Sequence, residues 1–415
     1  MAVASISLRM AWRNLWRHSR RTWLTLGAMI FSNTLLIFMI ALQIGSYTMM
    51  IDNSLRAFTG HLQIQAEGYL DEQKMRQVVP DVVSLAAAVR QQLGTDEVAA
   101  RAVGFAMASS RERSFGIQIT GVQPDWEPRV SSIPGLVSRG RYLADNNAEE
   151  IVIGSVLARN LKVDVGDEVT LLGSGYDGSI AAAIVVVAGV FESGMVDLDR
   201  SIAQIPLGTF QQVFSMDGAG HSVVIAAPGL DVVAAWKASL QGLLVQRGDD
   251  SLVALDWDQL QPGLQQAIKA DLSSSIFMYM VLVVLVAFSV LNTQLMSVLE
   301  RTREFGIMIA LGLKPGRLSR LVVTETAILA SVGLAIGVSI GFCITLYLHY
   351  AGFSYPGMEE MAGRFNLPSR IYPSLSLIPL FAGPAFVFAG SLLASAYPAL
   401  RIHRLQPVEA MRAVQ

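Results

Sequence analysis

The sequence has little of the chemistry on which metal sites and soluble enzymes depend. It has a single cysteine, Cys343, so one chain can form no internal disulfide. The five histidines are scattered at positions 18, 61, 221, 349 and 403, which argues against a histidine-based metal or catalytic site. No GxxxxGK[ST] phosphate loop, HExxH zinc helix, CxxC pair or GxSxG elbow occurs. We therefore expect the energy for any work to come from a partner.

Charged residues are scarce as well. Only 15% of the chain is Asp, Glu, Lys or Arg, whereas 52% is hydrophobic, which is apolar for a soluble protein. Four runs without a charged residue, 22–51, 272–299, 326–358 and 371–400, each exceed the roughly 20 residues that cross a bilayer core. The first run is too long for the apolar part of a signal peptide, about 7–15 residues. The sequence thus predicts four transmembrane helices without an internal charge to mark an ion path.

The basic residues set the orientation of these helices. Lys and Arg concentrate on the cytoplasmic side of short loops, and they are abundant in 1–21, 300–325 and 401–415. We therefore expect both termini in the cytoplasm and residues 52–271 outside. The outer block has 16 Lys and Arg against 27 Asp and Glu, a net charge of −11, whereas the inner segments sum to +9. Because the basic clusters lie at the membrane surface, the expected partner is membrane lipid and not nucleic acid.

The domain boundaries follow from these runs. We predict a cytoplasmic amphipathic helix (1–21), a first span (22–51), an outer domain (52–271), a second span (272–299), a cytoplasmic loop (300–320), a third span (321–350), a short outer loop (351–370), a fourth span (371–400) and a cytoplasmic tail (401–415). In the first segment, Leu8, Trp12 and Trp16 recur at helical spacing beside a row of arginines, which is typical of a helix on the membrane surface.

The outer domain alternates between strand and helix patterns. Alternating or short apolar runs predict strands at 61–65, 98–108, 115–122, 223–226 and 252–255, with helices at 82–93 and 231–244. The middle of the block is rich in strands and glycine. The predicted fold class is membrane α-helical, with four transmembrane helices and a large α+β outer domain into which a β subdomain is inserted at about 140–215.

Residues 300–320, here called the coupling loop, separate the second and third spans. Phe305, Met308, Ile309 and Gly312 fall on one helical face. Gly312 is suited to end a helix, and Pro315 is suited to the first turn of the next one. The pattern predicts two helices with a tight corner, a place where a partner can push on the protein. An ordinary helical connection is the alternative.

Two further sets of residues are candidates for function. Gly333, Gly337 and Gly341 form a smooth face on the third span, where a helix of a second protomer or of the same chain can approach closely. The outer ends of the first two spans flank the outer domain in sequence, and their adaptable apolar side chains are candidates for contact with an acylated cargo. These cargo candidates are Tyr47, Met49, Met50, Phe277, Met278 and Met280.

The coupling loop, ERTREFGIMIALGLKPGRLSR, resembles the signature cytoplasmic loop of the MacB/LolC/FtsX-type ABC transporter permeases, the type VII exporters. The order of one span, a large outer domain and three spans agrees with that family, as do YPALR at 397–401 and LQPVEAMR at 405–412. In the outer domain, GHLQI at 60–64, Gly166-Asp167 and FESGM at 191–195 are similar to the lipoprotein-releasing LolC/LolE-like members.

The resemblance implies a mechanism and a set of partners. The outer domain would consist of an α/β Porter subdomain and an inserted β Sabre subdomain. A separate ATPase subunit, which would bind ATP and Mg, would receive the coupling helix in a groove, and this chain would bind no cofactor and catalyse no reaction. The implied ATPase-contacting residues are Arg301, Arg303, Glu304, Phe305, Met308, Ile309, Leu311 and Gly312. The chain would work in the bacterial inner membrane as a dimer with an identical or paralogous permease protomer.

Members of this family use movement of the outer domain for different tasks, and the sequence leaves three open. The first is release of lipoproteins from the inner membrane to a periplasmic carrier. The second is efflux of small molecules or peptides together with a periplasmic adaptor. The third is signalling, in which the outer domain regulates a cell-wall hydrolase.

Overall fold

The structure is a computed structural model that describes residues 2–17, 19–358 and 370–403. The chain divides into two compact units. A membrane unit comprises Met1–Tyr47, Ile268–Ser354 and Arg370–Gln415, and an outer unit comprises Thr48–Ala267 with Tyr355–Ser369. Most of the predicted outer loop 351–370 and tail 401–415 lies outside the described residues, and so does the LQPVEAMR motif.

Long helices build the membrane unit, and short ones flank a sheet in the outer unit. The helices are α1 (Ala2–Arg17), α2 (Ser19–Ser54), α3 (Tyr69–Glu72), α4 (Val82–Leu93), α5 (Glu127–Val130), α6 (Ser155–Leu161), α7 (Val196–Ser201), α8 (Leu207–Val213), α9 (Leu230–Arg247), α10 (Trp257–Leu260), α11 (Pro262–Glu300), α12 (Thr302–Ala310), α13 (Pro315–Ala351) and α14 (Leu377–Ile402). A π-helix, Leu55–Thr59, follows α2 directly.

Four of the described helices, α2, α11, α13 and α14, are long and apolar enough to cross a membrane. Two of them begin well before their uncharged runs. α11 begins at Pro262, before its uncharged run starts at residue 272, and α13 begins at Pro315, before its run starts at residue 326. The apolar run alone therefore underestimates the length of each helix, because helical backbone continues past the residues that suit lipid.

Among the residues that the structure describes, the sheet of the outer unit contains ten strands. They are β1 (Leu62–Ala66), β2 (Val98–Ser109), β3 (Ser114–Val122), β4 (Val137–Gly140), β5 (Glu150–Gly154), β6 (Glu168–Ser174), β7 (Ile180–Phe191), β8 (Ile202–Pro206), β9 (Ser222–Ile225) and β10 (Leu252–Asp256). The strand order is β10-β1-β9-β2-β3-β8-β5-β7-β4, with β6 paired to β2 and β7.

The long strand β2 joins the first and last strands of the block to the middle ones. Its first residues pair with β9, from Val98 to Arg101, and its last residues pair with β6, from Ala106 to Ser109. The hydrogen-bond ladder therefore runs without a break into the strands of the predicted inserted subdomain. A strand of twelve residues is long enough for two neighbours on the same edge.

The helices that cover the sheet begin and end where the local sequence indicates. α4 spans the predicted residues and ends at Gly94, whose φ of 63° suits glycine. α9 ends in the same way at Gly248, with a φ of 72°. We expected Asp231 to cap this helix, but the helix starts at Leu230, after an extended Gly229 at the cap position.

His221 lies inside the outer unit and gives it a pH dependence. Its Nδ1 accepts a hydrogen bond from the Val103 amide at 2.9 Å, and its ring stacks on Tyr69 with centroids 5.1 Å apart. Burial lowers the pKa of this imidazole from 6.5 to about 4. Because the unfolded chain binds the proton more readily, stability is complete above pH 6.5 and is lost as the pH falls toward 4.

We expect acidification from pH 7 to pH 4 to cost the outer unit about 3 kcal/mol through this one group. Pulse proteolysis of the full-length protein in nanodiscs measures that loss. The His221→Gln variant lacks this imidazole, so its stability should depend less steeply on pH over this range. If the stability of the native protein and that of the variant fell equally with pH, His221 would not be the source of the pH dependence.

Candidate functional site

The coupling loop forms a short helix and a tight corner. α12 starts after Arg301, and its last turn leads into Gly312, whose φ is 94°. Lys314 is extended, and Pro315 occupies the first turn of α13, where its missing N–H leaves no unsatisfied donor. The two predicted helices and the corner between them are thus present.

Phe305 faces the interior of the membrane unit. It is completely buried and packs with Val298 of α11, Leu318 and Val322 of α13, and Ile402 of α14. Met308 and Ile309 are partly buried beside the same cluster. These three residues were expected to enter a groove of an ATPase. In the structure, the side chain of Phe305 packs α12 against α11, α13 and α14 of its own chain.

The outward side of α12 has a different apolar stripe. Arg303 is exposed, Ile307 is 44% exposed and Leu311 is 79% exposed. These three residues recur at i, i+4 and i+8, so they share one face of a helix. The sequence analysis included Arg303 and Leu311 but missed Ile307, although this spacing could have revealed it. This outward stripe, with Gly312 exposed beside it, is the surface that a partner can contact.

A buried ion pair attaches the start of α12 to α13. Nη1 of Arg301 lies 3.1 Å and 3.3 Å from the two carboxylate oxygens of Glu325. Asn14 of α1 donates a further hydrogen bond to Glu325 at 2.7 Å. Arg301 is 8% exposed and Glu325 is 3% exposed. Glu325 lies inside the predicted third span, 321–350, so the expectation that the spans contain no charge is wrong at this residue.

Two more ion pairs connect the coupling loop to the N-terminal helices. Arg17 of α1 pairs with Glu304 at 2.7 Å, and Arg21 of α2 pairs with Glu300 at 3.0 Å. Arg301 also lies 3.5 Å from Glu304. The outward stripe therefore lies on a helix whose opposite side packs against the cluster around Phe305 and whose first residues form ion pairs.

The glycine face of α13 packs against α2 of the same chain. Gly333, Gly337 and Gly341 are buried, and the nearest side chains are Met29, Asn33 and Ile37 respectively. The hydroxyl of Thr34 also donates to the carbonyl of Gly337 at 3.3 Å. Of the two arrangements open from the sequence, the intrachain one accounts for these contacts, and the glycine face is not free for a second protomer.

We expect Gly337→Leu to destabilise the membrane unit. A Cβ atom at Gly337 would lie 2.6 Å from Cβ of Asn33 and 3.1 Å from the carbonyl oxygen of Ile30, so α2 and α13 must move apart. Overpacking of this kind costs about 1–3 kcal/mol. A matched control is Gly27→Leu on α2, because no atom lies within 4 Å of that Cβ. Thermal denaturation of the solubilised protein compares them, and equal melting temperatures would contradict the close approach.

The outer ends of α2 and α11 are joined by polar side chains. Tyr47 donates to a carboxylate oxygen of Asp271 at 2.5 Å, and Tyr279 donates to Oε1 of Gln43 at 2.7 Å. The amide nitrogen of Gln43 donates to Ser275 at 2.5 Å. The two spans therefore meet here, as expected from their places in the sequence. Tyr47 holds the spans together through this cluster.

The other cargo candidates differ in exposure. Phe277, Met278 and Met280 on α11 are 69%, 49% and 59% exposed. Met50 is 37% exposed, and Met49 is half-buried. Within the described part of the chain, no group of three or more His, Cys, Asp or Glu residues could hold a metal ion.

Two protein families match this chain. The MacB-like periplasmic core domain matches residues 22–243, and the FtsX-like permease C-terminal family matches residues 276–407. LolC of Xylella fastidiosa, a lipoprotein-releasing system transmembrane protein, is 26% identical over 321 residues, which cover 72% of this chain and 74% of the relative. MacB of Bordetella avium, a macrolide export ATP-binding/permease protein, is 23% identical and covers 98% of this chain, which spans 60% of that relative.

Solved structures of outer domains also match. The periplasmic region of MacB from Actinobacillus actinomycetemcomitans has a TM-score of 0.38 at 16% identity and covers 52% of this chain and 98% of its own. The extracellular domain of the Gram-positive transporter YknZ has a TM-score of 0.36 at 17% identity and covers 48% of this chain and 100% of its own.

The predicted fold class is confirmed: four candidate membrane helices accompany a large α/β domain of the MacB periplasmic type. The core-domain match alone spans more than half of the chain. This chain belongs to the ABC transporter permeases, of the type VII family, that combine a MacB-like periplasmic core domain with an FtsX-like membrane region.

Proposed function

We propose that this chain is the permease subunit of a complex that releases lipoproteins from the bacterial inner membrane. A separate ATPase subunit binds ATP and Mg and supplies the energy, and this chain is not itself catalytic. Both termini lie in the cytoplasm, the large domain lies in the periplasm, and a second permease protomer completes the dimer.

The observation that carries this proposal is the outward stripe of Arg303, Ile307 and Leu311. The other side of the same helix packs against α11, α13 and α14 through Phe305. An exposed apolar stripe on a charged surface marks a protein interaction site. Phe305 and the Arg301–Glu325 pair prevent α12 from giving way under a push. Movement of the ATPase then reaches α2 and α13, which are packed together along the glycine face.

The assignment of the cargo is supported by the relatives. LolC of Xylella fastidiosa and LolE of Haemophilus influenzae are both named as parts of a lipoprotein-releasing system, and each is 26% identical to this chain. The second candidate is efflux of small molecules, which the MacB relative favours because it aligns over 98% of this chain. A lipoprotein carrier would be the periplasmic partner in the first case, and an adaptor in the second.

Depletion of the protein in its own host separates the two functions. If it releases lipoproteins, triacylated lipoproteins destined for the outer membrane should accumulate in the inner-membrane fraction. Re-expression of the native chain should reverse this, and re-expression of Ile307→Asp should not. Normal lipoprotein distribution together with increased sensitivity to macrolides would contradict lipoprotein release and support the efflux function.

A further inference from the structure

A cavity of about 490 Å³ lies in the outer unit beside the π-helix. This volume falls within the range of about 300–1,000 Å³ that is typical of small-molecule sites. Its wall is mostly apolar and includes Met50, Phe58, Leu136, Met195 and Leu198. None of the functions discussed above uses it.

We propose that this cavity binds one acyl chain together with the carbonyl group at its head. The proposal extends the proposed function, since a lipoprotein carries such chains, but a membrane phospholipid offers the same chemistry. The cavity is the binding site in either case, and the source of the chain is decided by experiment.

The apolar wall suits a flexible chain. Met50 comes from the last turns of α2, and Met195 comes from the loop before α7. Methionine side chains are unbranched and polarizable, so they adapt to an occupant of irregular shape. Met50 also belongs to the helix that contains the first candidate membrane span.

The polar groups at the cavity suit a carbonyl. Nδ2 of Asn53 is buried and has no hydrogen-bond partner, although Asn53 lines the cavity. An unsatisfied buried donor is unfavourable, and an ester or amide oxygen that reaches it would satisfy it. Arg56 is at the cavity too, but Asp52 holds its Nε at 3.0 Å, so its charge is already balanced.

The wall beside Phe58 is preformed. Arg101 donates to the carbonyl oxygen of Phe58 and lies with its guanidinium 5.1 Å from the Phe58 ring. The same guanidinium donates two hydrogen bonds, of 2.6 Å and 3.0 Å, to the carboxylate of Glu127. Arg101 and Glu127 are almost completely buried. Gln261 also donates to Thr59 at 2.9 Å. These contacts hold the π-helix residues Phe58 and Thr59 at the edge of the cavity.

Photolabelling of the full-length protein in nanodiscs tests this site. The probe is a palmitoyl chain with a diazirine, placed in phosphatidylethanolamine in one arm and in a synthetic triacylated lipopeptide in the other. Mass spectrometry locates the label, and labelling at Phe277 on the exposed side of α11 serves as the internal reference. We expect label on the segments that contain Phe58 and Leu198 in at least one arm.

Two variants distinguish the cavity from general exposure to lipid. Met195→Trp places an indole in the cavity and should abolish labelling of these segments, and partial exposure of Met195 lets the larger side chain be accommodated. The matched control is Val196→Trp, because Val196 is 56% exposed and does not line this cavity. Asn53→Leu, which removes the donor, should reduce the labelling.

The site is refuted if neither probe labels these segments. It is also refuted if the segments are labelled equally in the Met195→Trp and Val196→Trp variants. Label from phosphatidylethanolamine alone supports the site with membrane lipid as its source. This assay requires neither ATP nor release of cargo, so its failure is separate from a failure of the lipoprotein-release function.

Discussion

Removal of the Glu325 carboxylate leaves the buried Arg301 with only Glu304, 3.5 Å away, as an acidic neighbour, and we expect a large loss of stability in the membrane unit. The loss of one partner of a buried ion pair costs about 3–5 kcal/mol, because the remaining charge stays desolvated. Glu325→Leu should therefore lower the melting temperature strongly. Because the pair fixes the start of α12, ATP hydrolysis stimulated by the permease should also fall.

A double variant provides the control for this effect. Arg301→Met combined with Glu325→Leu removes both charges and should recover most of the stability, since apolar replacements for buried ion pairs are often neutral. Arg17→Ala breaks the exposed pair with Glu304, and exposed pairs contribute about 0–1 kcal/mol. If Glu325→Leu cost no more than Arg17→Ala, the buried pair would not be an anchor of the coupling loop.

Charges introduced on the two sides of α12 should have different consequences. Ile307→Asp and Leu311→Asp put a carboxylate on an exposed surface, so the protein should fold and insert normally. A partner that covers this surface would have to bury the unpaired charge, which is costly. We therefore expect loss of co-purification with the ATPase and of stimulated ATP hydrolysis, whereas Ile307→Val should behave as the native protein does.

Phe305→Asp should fail in another way. Its side chain lies in the interior among Val298, Leu318 and Val322, so a charge there prevents the membrane unit from folding. Its expected signature is low yield and aggregation. A well-folded Phe305→Asp protein that fails only to bind the ATPase would show that Phe305, and not the Ile307 face, forms the contact.

The four spans and several strands could be predicted from local patterns in the sequence. Uncharged runs indicated the four spans because lipid excludes charge along the whole helix. Period-two alternation predicted strands such as β1, since one face of the sheet is buried. The ladder through β2 could not be predicted in this way, because pairing between strands distant in sequence leaves no local pattern.

The side of α12 that faces its own chain could not be predicted from the sequence. Phe305, Met308 and Ile309 form one apolar stripe, and Ile307 and Leu311 lie on the other side of the same helix. Hydrophobic periodicity identifies a stripe but does not say whether it faces its own chain or a partner. The contacts of Phe305 with α11, α13 and α14 decide the matter, and they depend on three helices that meet only in the folded chain.

The central claim is that ATP moves the outer domain through this membrane region. A direct test is the spin-label distance between Val245 in α9, 73% exposed, and Tyr350 in α13, 79% exposed, with the native Cys343 replaced by alanine. Both labels lie on one chain, and mixing labelled with excess unlabelled protein separates this distance from distances between protomers. We predict that trapped ATP changes this distance distribution in the complex with the ATPase, and that Ile307→Asp abolishes the change. Identical distributions with and without ATP in a complex that hydrolyses ATP would contradict the account.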